Sequence, residues 1–199
     1  MTRRTRVLGL CVGLVLSLGS TSAVVAARPA SEHCISPGGD DLNEIFATSD
    51  ALVAPFCREI RTGEPWRAVL RVNMAGEADR VFPDGYVPLE SDLDADLLAK
   101  LQAVTYVVDA GTRRERTYVV PAEDLVIRTG DVPDGTRFVG WISTRRHPLP
   151  PGDHTVDQYV TLSSDFWDGL ALDPALNLVP AGRSFAASFE FTVENPRRS

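Results

Sequence analysis

From Trp66 onward, apolar and polar residues alternate with a period of two. In WRAVLRVNM (66–74), Trp66, Ala68, Leu70, Val72 and Met74 fall on one face, and Arg67, Arg71 and Asn73 on the other. That is the period of a strand with one face buried. Similar runs follow as AVTYVVD (103–109), RTYVV (116–120), DLVIR (124–128), RFVGWIST (137–144), HTVDQYVTL (154–162) and SFAASFEFTV (184–193). DAGT, TGDVPDGT, HPLPPGD and VPAG separate them, supplying glycine for positive φ and proline for fixed φ. Short, regularly spaced strands with such turns predict a mainly β protein of the sandwich type.

Two stretches change period. Ahead of and within residues 41–57, the paired Asp40 and Asp41 precede Leu42, Ile45 and Phe46 at helical spacing, which predicts a short helix ending before Pro55. In SDLDADLLAKLQ (91–102), Asp92, Asp94 and Asp96 alternate ahead of a leucine-rich run. A calcium loop would need glycine at its sixth position and glutamate at its twelfth, where Leu97 and Ala103 stand. Leu93, Leu97, Leu98 and Leu101 instead line one helical face. Ser91 with Asp94 has the spacing of a capping box, and early acids with a late Lys100 complement a helix dipole. The reading is a helix start with no metal.

LPPGDHTVDQYVTL resembles the proline-glycine turn and strand common in exported β-domains, and AGRSFAASFEFTV resembles a terminal strand. Together they look like the last hairpin of an immunoglobulin-like sandwich. The resemblance implies an immunoglobulin-like antiparallel β-sandwich with one or two short helices. It implies no activity, because such sandwiches host many.

The N-terminus adds a compartment. Arg3, Arg4 and Arg6 precede the apolar run LGLCVGLVLSLG and the small residues STSAVVAA, the layout of a secretory signal over residues 1–27. The apolar run is shorter than the ~20 residues of a membrane-crossing helix, so no stable span is expected after signal removal. Without its three arginines the chain has 17 basic and 27 acidic residues, a net charge of −10. Such a charge argues against nucleic acid as a partner. Arg113, Arg114 and Arg116, and Arg145 with Arg146, read as charged hairpin edges that discourage strand-to-strand aggregation. Loss of Cys11 leaves Cys34 and Cys57, an even pair for which a disulfide is expected in an oxidising compartment. Residues 28–64 then form a disulfide-tied segment packing on a sandwich domain spanning 65–199.

Candidate chemistry is sparse. His33, His147 and His154 lack a clustered third ligand and read as turn-surface residues. No GxSxG occurs, and no motif asks for a cofactor. One segment stands out: SSDFWDGLALDPALNLVPAG (163–182) is far longer than a usual hairpin connection. It offers Asp165, Asp168, Asp173 and Asn177 beside Phe166 and Trp167, a set able to meet a glycan, a peptide or a cation. Alternatively Phe166, Trp167, Leu170 and Leu172 fold back and cap the core. The expected function is that of an exported, non-enzymatic interaction or structural module, with an extracellular protein or glycan as partner. The alternative is a secreted hydrolase with a site built from dispersed carboxylates.

Overall fold

A computed structural model describes residues 33–132 and 134–195; the expected signal over residues 1–27 lies outside them. The chain runs α1 (Leu42–Ile45), β1 (Ala51–Val53), β2 (Glu59–Arg61), β3 (Trp66–Met74), α2 (Leu93–Lys100), β4 (Leu101–Val108), β5 (Arg116–Pro121) and β6 (Val126–Asp131). It continues through β7 (Arg137–Ile142), β8 (Gly152–Leu162), β9 (Phe166–Trp167), α3 (Pro174–Asn177), β10 (Leu178–Val179) and β11 (Gly182–Glu194). All seven runs with period two are strands. They build two larger sheets, ordered β1-β3-β7-β6 and β2-β11-β8-β4-β5, while β9 and β10 form a small ladder of their own.

One hydrophobic cluster joins the two sheets. Trp66 and Leu70 of β3 and Val139 and Trp141 of β7 meet Val104 and Tyr106 of β4, Val160 of β8 and Phe191 of β11. These are the alternate positions of each strand, so the polar residues between them face outward. A smaller cluster holds Cys34, Phe46, Leu52, Val69 and Ile142, and fastens the N-terminal segment to β3 and β7. Cys34 and Cys57 face each other at disulfide distance, with Cα atoms 5.6 Å apart.

The antiparallel expectation fails at two edges: β1 runs parallel to β3, and β2 parallel to β11. Residues 54–58 carry the chain from one sheet to the other, so the N-terminal segment gives each sheet one three-residue strand. The helix expected within residues 41–57 is a single turn. Asp41 caps it by accepting the Asn43 and Glu44 N–H groups. Ala47 then takes the left-handed φ of 49°, which ends the helix and leaves the following residues to form β1.

α2 also departs in detail. It begins after Asp92, which makes no side-chain cap, and no capping box forms. The Asp94 carboxylate is drawn instead to Arg137, 3.0 Å away. Leu93, Leu97 and Leu101 are buried as the helical spacing predicts.

Candidate functional site

Residues 163–182 fold back on the body of the protein. Phe166 and Trp167 form β9, and Trp167 is only 4% exposed. Its indole N–H donates to the Ala171 carbonyl at 2.9 Å. The polar residues of this segment bind the segment itself. Asp165 accepts the Ala181 N–H at 2.8 Å, and Asp173 caps α3 by accepting the Ala175 N–H at 2.9 Å. Asp168 accepts the Leu170 N–H at 2.9 Å and the Asn177 side-chain amide at 3.0 and 3.1 Å. Burial pushes the Asp168 carboxyl above its ordinary 3.8, against the opposing pull of these two donors. Asp168 and Asn177 are thus brought together, whereas Asp165 and Asp173 act separately as loop and helix caps. Among the described residues no group of three or more His, Cys, Asp or Glu is placed to hold a metal ion.

A second loop, residues 75–92, lies against the first. The Ala75 N–H donates to Asp168 O at 2.8 Å, the Val81 N–H to Gly169 O at 2.9 Å, and the Trp167 N–H to the Tyr86 hydroxyl at 3.0 Å. Gly169 makes this approach possible: its φ is +77°, and a Cβ there would sit 3.0 Å from Leu93, 3.1 Å from Arg80 and 3.2 Å from Ala75. Beneath both loops is a buried polar core. Lys100 is 2% exposed and donates to Asp96 at 2.7 Å and to the Tyr86 hydroxyl at 2.9 Å. The second Asp96 oxygen accepts the Leu89 N–H at 2.6 Å. The only lysine of the chain therefore serves as an anchor for both loops, a role that its place at a helix end does not reveal.

Outward, the two loops present aliphatic side chains. Val81, Val87, Leu89, Leu170, Leu172 and Leu176 are all exposed, Val87 and Leu176 to about four-fifths. Leu170 and Leu172 thus depart from the expected capping role, and the aromatic pair fills the core in their place. The exposed acids Glu77, Asp79, Asp84, Glu90, Asp92 and Asp173 belong to the same loops. This surface was missed from sequence because scattered valines and leucines in a loop have no period to reveal which way they point.

At the other end of β4 the chemistry is polar. His154, expected at a turn surface, is buried: Nδ1 lies 2.9 Å from Asp109 and Nε2 lies 2.9 Å from the Pro150 carbonyl. Asp109 also accepts the Thr155 N–H at 3.2 Å and lies 3.6 Å from Arg114. A cavity of about 490 Å³ opens here, and Asp109, Asp153 and Glu190 contribute to its wall. Asp153 accepts the Thr192 hydroxyl at 2.9 Å. The paired arginines are engaged as well: Arg145 lies 3.1 Å from Asp50, and Arg146 stacks 4.3 Å above the Tyr118 ring.

No protein-family model matches this sequence, and no curated protein or solved structure is significantly similar to it. Among the described residues no helix is long and apolar enough to cross a membrane.

Proposed function

We propose that this protein is an exported, non-enzymatic interaction module built on an immunoglobulin-like β-sandwich, and that it grips an extracellular protein through the two stitched loops 75–92 and 163–182. One observation carries the reading: six exposed aliphatic side chains gather on two loops that rest on a buried Lys100–Asp96–Tyr86 anchor. Exposed apolar surface on a rigid support is characteristic of a docking face. Aliphatic groups favour a protein over a glycan, because sugar rings are gripped by aromatic faces and here Phe166 and Trp167 are buried. The acidic residues on the same loops call for a partner with basic groups bordering an apolar patch. The acidic character of the whole chain disfavours nucleic acid and anionic membranes in this role. The cysteine pair at disulfide distance suits an oxidising compartment.

The hydrolase reading has the polar cavity in its favour, but two of the three carboxylates there are committed to internal hydrogen bonds. The test is a capture experiment on envelope and culture proteins, comparing wild type with a Leu172→Asp, Leu176→Asp double variant. The expected result is a specific protein retained by wild type and lost from the variant at unchanged melting temperature. Equal capture by both would overturn the reading.

A further inference from the structure

The two outer strands of the five-stranded sheet are finished differently. β5 begins at Arg116, is preceded by Arg113 and Arg114, and ends at Pro121; charge and proline are the usual guards of a free edge. At the opposite edge β2 covers only Thr192–Glu194 of β11. Among the described residues, no strand pairs with the outer side of β11 over residues 182–191. Its run from Ser184 to Phe189 carries no charge, no glycine and no proline, and Phe185 is 61% exposed.

The charges that bracket this run are opposite, Arg183 before it and Glu190 after it. Seven residues apart on a regular strand, they would point to opposite faces. The register shift between Phe185 and Ala187 removes that mismatch. Arg183 pairs with Thr161 and Glu190 with Thr155, and these two β8 positions, six residues apart, share one face. The irregularity thus leaves an uncharged strand edge with a positive and a negative end on the same side of the sheet.

We infer that β11 is a self-association edge, at which a second copy of this chain adds its own β11 antiparallel about a two-fold axis. An isologous contact must be complementary to itself. With the axis between Ala186 and Ala187, Arg183 of each copy meets Glu190 of the other, Ser184 meets Phe189 and Phe185 meets Ser188. Both ion pairs, the serine–phenylalanine pairs and the central Ala186–Ala187 pairs then satisfy the symmetry in one register. The strands would continue the five-stranded sheet into one of ten, with main-chain hydrogen bonds supplying affinity and the end charges supplying register. This surface is separate from the two loops, so its failure would leave the docking proposal standing.

Charge reversal tests the register. Sedimentation velocity of the purified protein over a concentration series is expected to show a reversible monomer–dimer equilibrium. Arg183→Glu alone, or Glu190→Arg alone, places like charges together at both ends and should weaken the dimer at least ~10-fold. Mixing the two single variants should restore dimers, because each then offers the other only opposite charges. The double variant R183E/E190R should also dimerise as wild type does. Circular dichroism and melting temperature check that the exposed substitutions leave the fold intact. A wild type that stays monomeric, single variants that dimerise normally, or a mixture that fails to pair would each overturn the proposal.

Discussion

β4 has a buried, hydrogen-bonded side-chain pair at each end, and the two pairs are built in different ways. At its start, Lys100 and Asp96 stand one helical turn apart and are almost completely enclosed, with the Tyr86 hydroxyl 2.9 Å from the ammonium. At its finish, Asp109 and His154 come from segments 45 residues apart, and the pair lies against a cavity with half-exposed Arg114 at 3.6 Å. The first pair supports an apolar surface and the second lies beside a polar one. Asp109 has the half-exposed Arg114 guanidinium beside it as well as its histidine, whereas among the described residues the Lys100 ammonium has only the Asp96 carboxylate to balance its charge. The difference between the ends is therefore one of charged neighbours rather than of distance or burial, since both contacts are under 3 Å and both pairs are almost wholly enclosed.

That comparison can be broken by removing one partner at each end. Asp96→Ala strands the Lys100 ammonium and removes the acceptor of the Leu89 N–H. A loss of about 3–5 kcal/mol in urea unfolding is expected, as for other buried pairs broken on one side. Asp109→Asn keeps the shape and the hydrogen-bonding oxygen, and asparagine tolerates the left-handed φ of 53° found there. Its expected cost is about 1–3 kcal/mol, that of a weakened buried hydrogen bond. Equal costs at the two ends would mean that the additional charged neighbour of Asp109 does not distinguish them.

The smallest effect is a pH dependence at the loop end. Burial raises the Asp168 carboxyl above its ordinary 3.8 in the folded state, so the fold favours the protonated form. Its contribution to stability is present below the unfolded-state value and is lost as pH rises through the higher folded value. Melting temperatures of wild type and Asp168→Asn between pH 3 and 6 should therefore shift in favour of the variant as pH rises. A constant difference across that range would show that Asp168 does not titrate with the fold.

Much of the sheet structure was legible because its signal is local. The seven alternating runs each announce a buried face, and all seven are strands. β1 and β2 were not legible: three residues hold too little of any period, and each runs parallel to a partner reached only through an excursion to the other sheet or from the far end of the chain. Within the loop, the rings of Phe166 and Trp167 were visible as the notable residues, yet hydrophobicity alone serves a recognition surface and a core cap equally well. Their burial follows from β10 and Tyr86, which arrive from either side. The burial of Lys100 went unseen and His154 was misread for a related reason. A charged side chain next to a helix end or a turn is usually solvated, and only a carboxylate delivered to the same point makes burial tolerable.

By itself the sequence determined the seven longer strands, which face of each is apolar, and where the chain turns between them. These depend on the spacing of neighbouring residues, which any short stretch already contains. The tertiary structure decided that edge strands run parallel, that aliphatic loop residues point outward while aromatic ones point in, and that one lysine and one histidine lie in the core. Each of those outcomes depends on what another part of the chain brings within hydrogen-bonding or van der Waals reach, and no local period records it.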